Sequence, residues 1–182
     1  MIVAKQVADF ITWSRVGIAF LLVWLGEFRG QEALPLVIWL MIADWAGDSV
    51  DGKLARRSRV QYHTWIGDHD IEVDVLISAG LLIYLLLADF VNLVWVVIYL
   101  LVWAVIFWRW GYVRVLAMLI QAPIYAWFIW IALTYTPENG IWIVVWVITA
   151  IALTWPYFPK VMVPGFLLGM REVIKFRGRP RQ

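Results

Sequence analysis

The chain has 182 residues, 64% of them hydrophobic, a mean hydropathy of +0.81 and a formal net charge of only +2. A water-soluble domain of this length is nearer half apolar, so lipid must be the main solvent, and one domain spanning residues 1–182 fits the length. The absence of cysteine excludes a disulfide framework and thiolate metal sites, and the nearly balanced charge gives no reason to expect a nucleic-acid partner.

A bilayer-crossing helix needs roughly 20 mostly apolar residues. Six stretches qualify, at about 10–27, 34–56, 67–88, 90–108, 115–136 and 140–157. Residues 1–9 carry one lysine and no small-residue cleavage pattern. They read as a short interfacial segment rather than a removable signal peptide. Turn chemistry punctuates the spans at Gly26 to Gly30, at Pro137-Glu138-Asn139-Gly140, and at Pro156 and Pro159. The apolar runs lack strand-like alternation, so the expected fold is all-α and integral to the membrane, with no barrel. Many of the 14 Trp stand near the ends of apolar runs, where rings favour the headgroup level.

The basic residues orient this arrangement. With six spans, all 15 Lys and Arg except Arg29 fall on one side, and that side should be cytoplasmic. The loops opposite carry Glu27, Glu32, Asp89 and Glu138. Both termini are therefore expected in the cytoplasm, in a bacterial or archaeal cell membrane. The basic stretch 171–181 serves either as a topology signal or as a hold on anionic headgroups.

The second expected span changes character at its end. Asp44, Asp48 and Asp51 are spaced i, i+4 and i+7, on one helix face, and Asp70 and Asp74 share a face at the start of the third. Like charges about 4 Å apart repel by on the order of 4 kcal/mol at an effective dielectric near 20. Carboxylates at a membrane boundary are costly as well. Divalent cations would offset this, and hard oxygen donors suit Mg²⁺, Mn²⁺ or Ca²⁺. Two acids from each of two helices could bracket a pair of ions. Asp68 and Glu72 read instead as helix-start charges. His63 and His69 read as solvated loop residues. Asp44, one turn deeper than Asp48, either binds hydroxyls of a substrate or pairs with Arg15. Arg109, Arg114 and Lys160 either hold a phosphate or simply serve the orientation rule.

Asp48-x2-Asp51-Gly52-x2-Ala55-Arg56 followed by Asp70-x3-Asp74 resembles the signature of the CDP-alcohol phosphotransferase family. That signature reads D-x2-D-G-x2-A-R, then, after a short gap, G-x3-D-x3-D. Seven fixed positions match in order and spacing. Ile66 stands where the family has its glycine, with Gly67 beside it, and Ile71 replaces a frequent proline. Upstream, Ile11-Thr12-Trp13-Ser14-Arg15 is similar to the family's L-T-x-x-R first-helix pattern.

The resemblance implies transfer of a substituted phosphate from a CDP-linked lipid, such as CDP-diacylglycerol, to a small alcohol or polyol phosphate, with release of CMP. It implies two Mg²⁺ or Mn²⁺ ions held by Asp48, Asp51, Asp70 and Asp74, with Asp74 also acting as general base. Thr12, Gly52, Ala55 and Arg56 would meet the CDP moiety. Acceptor contacts would fall to Asp44, Arg109, Arg114 and Lys160, and the protein would be a homodimer in contact with membrane lipid. A divalent-cation transporter and a non-catalytic CDP-lipid-binding homologue are the rival readings.

Overall fold

A computed structural model describes the backbone of residues 4–57 and 70–175, and the side chains of residues 10–49 and 71–171. Among the described residues the structure is helical, with no strand. Helix α1 runs Ala4–Arg29, a 3₁₀ turn covers Gly30–Ala33, and α2 runs Leu34–Arg57. Then follow α3 (Asp70–Leu87), α4 (Leu93–Trp110), α5 (Arg114–Tyr135) and α6 (Pro137–Leu153). A π-type turn, Phe158–Met162, leads into α7 (Val163–Lys175).

By length and composition this is a membrane protein. Phe10–Ser49, Leu93–Trp110 and Arg114–Tyr135 are each long and apolar enough to cross a bilayer. Pro137–Leu153 with Phe158–Arg171 makes a fourth candidate if that pair, bent by 82°, is one broken span. Among the described residues the six expected spans are thus met only as three to four candidates, for local reasons. The stretch Phe10–Ser49 contains two helices, α3 opens on Asp70, Glu72 and Asp74, and α6 has only 17 residues before the chain bends.

That α1 and α2 fold back on each other follows from side-chain geometry. Arg15 Nε lies 2.9 Å from Asp44 Oδ1 although the residues are 29 apart. A straight helix would separate them by about 43 Å. The reversal occurs at Gly30, whose φ of 54° is strained for any residue with a Cβ. The Tyr84 hydroxyl donates to the Gly30 carbonyl at 3.2 Å and ties this turn to α3.

The core sits between α1, α2, α3, α5 and α6. Leu34, Val37, Ile38 and Met41 of α2 and Ile77, Leu81, Tyr84 and Leu85 of α3 recur at helical spacing and are fully buried. They meet Leu22 and Leu25 of α1, Phe128 and Ile131 of α5 and Ile143 of α6. A close backbone approach joins α1 to α3. A Cβ at Gly80 would stand 2.7 Å from the Ala19 carbonyl oxygen. Small residues let backbones come this near in a membrane, where dispersion rather than water expulsion drives packing.

Two expectations at the chain ends are corrected. Residues 4–9 are not a separate helix but the first turns of α1, because nothing between Ala4 and Val16 breaks the helix. The last expected span does not run on to residue 157. It ends at Leu153, and the chain turns sharply into α7, which packs on the start of α5 where Gly169 faces Val115.

Helix α4 stands apart, with Val96 its one buried residue. Between it, α3 and α5 lies an apolar cavity of about 530 Å³, lined by residues including Leu85, Phe90, Tyr99 and Ile124. The Tyr99 hydroxyl crosses to donate to the Ile120 carbonyl of α5, three residues before Pro123. Tyr99→Phe should therefore lower stability by about 1 kcal/mol, read as a fall of roughly 2–4 °C in melting temperature. An unchanged melting temperature would show that this bond does not hold α4 to the bundle.

Candidate functional site

Asp44, Asp48 and Asp74 gather where the middle of α1 and of α2 meets the first turns of α3. α1 contributes Thr12 and Arg15, α2 contributes Asp44 and Asp48, and α3 contributes Asp74 and Ser78. Arg15 is the hub. Its Nε meets Asp44 Oδ1 at 2.9 Å, one terminal nitrogen meets Asp48 Oδ1 at 3.1 Å, and the other donates to Asp74 Oδ1. The guanidinium is planar and always charged, so a single side chain can engage three carboxylates from different directions.

Burial grades across the group. Arg15 and Asp44 are 3% and 1% exposed, whereas Asp48 and Asp74 are 46% and 31% exposed at the side chain. Asp44 with Arg15 forms the floor, and Asp48 and Asp74 form the rim. Of the two readings open for Asp44, the structure takes the pair with Arg15. Among the described residues, one guanidinium faces three carboxylates, which leaves two negative charges in excess.

The remaining walls come from α5 and the turn before it. Tyr125 lies within electrostatic range of Asp44, Asp74, Arg15 and Asp48. Its hydroxyl donates to Gln121 Oε1 at 3.2 Å, and Gln121 Nε2 donates to the Ala117 carbonyl at 2.9 Å. Trp45 of α2 packs edge-on against the Tyr125 ring at 5.6 Å and, tilted, against Trp146 of α6 at 6.0 Å. In the turn before α5, burial pushes the Tyr112 phenol above its ordinary value, and the charges of Glu72 and Asp74 add to this.

The side chains of Asp51, Gly52, Ala55, Arg56 and Asp70 lie outside the described residues, although the backbone puts the first four in the last two turns of α2 and Asp70 at the first residue of α3. His63, Ile66, Gly67, Asp68 and His69 also lie outside them. Thr12 is buried, one turn from Arg15. Arg109, Arg114 and Lys160 are exposed, and among the described residues no ion pair joins them to Asp44, Asp48 or Asp74. The Arg109 guanidinium instead lies over the Trp110 ring at 5.5 Å.

Among the described residues, no group of three or more His, Cys, Asp or Glu stands in metal-holding geometry. The donor chemistry nevertheless suits Mg²⁺ or Mn²⁺. Asp48 and Asp74 present hard oxygens from two helices that both pack on α1, at a rim with excess negative charge and partial solvent access.

Gln121 and Tyr125 belong to no motif in the sequence. Their signal was available, as two polar residues at i and i+4 in an otherwise apolar span. No protein-family model matches the chain, and comparison with curated proteins and with solved structures gives no match either.

Proposed function

We propose that this chain is a multi-pass CDP-alcohol phosphotransferase that transfers a substituted phosphate from a CDP-linked lipid to an alcohol and releases CMP. The observation that carries the reading is the convergence of Asp48 and Asp74. They come from opposite ends of the signature and are 26 residues apart, yet they share one guanidinium at one end of the bundle. The reading takes each of α1 to α6 as one crossing. The fold-back of α1 on α2 and the 18-residue length of α3 support that count. The bias of basic residues puts the site and both ends of the chain on the cytoplasmic side. The resemblance adds a homodimer.

Asp48, Asp51, Asp70 and Asp74 would hold Mg²⁺ or Mn²⁺, which would offset the charge developing on the phosphate oxygens. Asp74 accepts the proton of the acceptor hydroxyl as that oxygen bonds to the lipid-bearing phosphorus. The bond from that phosphorus to the bridging oxygen breaks, and CMP leaves with the electron pair. Gly52 and Ala55, with little or no side chain, let the nucleotide approach α2, and Arg56 presents a fork of donors to a phosphate. Thr12 completes the CDP side. Arg109, Arg114 and Lys160 serve the acceptor when it carries a phosphate. A boundary site suits a substrate whose acyl chains need lipid and whose nucleotide needs water.

The test is incubation of the purified protein with CDP-diacylglycerol, Mg²⁺ or Mn²⁺, and glycerol phosphate, inositol phosphate, serine or a second lipid as acceptor. CMP and a new lipid of matching mass are expected with one acceptor. No CMP with any acceptor, together with divalent-cation flux in liposomes, would replace this reading with transport.

A further inference from the structure

Arg15 engages the two rim carboxylates through which α2 and α3 would hold a divalent ion, and it is itself buried. We propose that Arg15 is a built-in counter-cation of the acidic site, competing with a divalent ion for Asp48 and Asp74, and that Asp44 is the positioning residue that keeps it there. The proposal rests on the phosphotransferase reading for the metal but not for the ion pairs.

Three carboxylates facing one another at the end of an apolar bundle repel. Removing one partner of a buried charge pair leaves the others uncompensated. Arg15 supplies positive charge from within the chain, so the bundle can assemble whether or not an ion is bound. Asp44 fits the anchoring task. It is buried, it faces the inner edge of the guanidinium at Nε, and it lies outside the metal-binding signature. Both outer nitrogens are thereby turned to the rim. A bound divalent ion would supply the same sign of charge at Asp48 and Asp74 and release Arg15 from part of its work. Each cation therefore weakens the hold of the other.

The test is Mn²⁺ titration and thermal unfolding of the full chain in detergent, followed by tryptophan fluorescence, for wild type, R15Q, R15K, D44N and R15Q/D44N. Without Mn²⁺, R15Q should melt roughly 10 °C below wild type. Saturating Mn²⁺ should raise R15Q by about 5 °C more than it raises wild type. Mn²⁺ should also bind R15Q at least about tenfold more tightly, because a competing positive charge has gone. R15K, which keeps the charge but loses the fork, should fall between. R15Q/D44N, with one carboxylate charge fewer, should melt above R15Q. Equal losses for R15Q with and without Mn²⁺ would mean a purely structural role and overturn the proposal. If R15Q does not accumulate, R15Q/D44N against D44N gives the same comparison. CMP release by wild type, measured alongside, separates the two readings. CMP release without the enhanced Mn²⁺ response of R15Q overturns the competition alone. The enhanced response without CMP release overturns phosphotransfer alone.

Discussion

Asp74→Asn should reduce CMP release from CDP-diacylglycerol by about a hundredfold to ten-thousandfold, the range in which a positioned general base contributes. The amide has the size of the carboxylate but cannot take the acceptor's proton. Folding should survive. Asp74 is only partly buried, and Arg15 keeps Asp44 and Asp48. The substitution also removes one negative charge from a group with two in excess, which partly offsets the lost ion pair. Helical content by circular dichroism should match wild type, and the melting temperature should move by only a few degrees. Retention of CDP-diacylglycerol binding would place the defect in the chemical step. Turnover equal to wild type in a correctly folded Asp74→Asn protein would sink the assignment of the base.

A second large effect is expected at a residue with no functional group of its own. At Gly80→Ala the added Cβ would sit 2.7 Å from the Ala19 carbonyl oxygen and 3.2 Å from the Ala19 carbonyl carbon and Cα. These are backbone atoms with no rotamer by which to yield, so α1 and α3 must separate. Overpacking of this kind costs about 1–3 kcal/mol. For a chain of this length that is a fall of roughly 3–10 °C in melting temperature. The same movement reaches the site. Ala19 lies one turn from Arg15, and Gly80 lies six residues, about 9 Å, from Asp74. A misplacement near 1 Å can lower a rate about a hundredfold, so CMP release should fall by more than stability alone explains. Gly17→Ala is the control. Gly17 is exposed and an added Cβ meets nothing within 4 Å, so that variant should be neutral or more stable by up to about 1 kcal/mol. Gly80→Ala melting with wild type would show that α1 and α3 are not in close contact at this point.

Much of the local architecture was legible from residue order. The buried sets Leu34, Val37, Ile38, Met41 and Ile77, Leu81, Tyr84, Leu85 follow helical spacing, which needs only neighbouring residues to be recognised. Gly30, within the stretch that turn chemistry marked, is a real reversal at positive φ. The sharing of a face by Asp44 and Asp48 is likewise a property of one helix. The ends were harder to read. Composition does not say whether residues 4–9 lie apart from α1 or continue it. The departure of α7 from the direction of α6 depends on its packing against the start of α5.

The sequence offered Arg15 only as one of two partners for Asp44, and its hold on Asp48 and Asp74 was not legible, for a deeper reason. In the sequence it is one basic residue among fifteen, and its place near the N-terminus agrees equally well with an orientation signal. Its three carboxylate contacts span separations of 29, 33 and 59 residues. Local spacing determined that Asp44 and Asp48 share one face of α2, because helix geometry repeats every few residues. Only the packing of α1 against α2 and α3, set by the turn at Gly30 and the close approach of Ala19 to Gly80, decided which cation would enter between them. The same packing decided that Asp44, which the spacing merely put one turn deeper, would be buried as the seat of that cation.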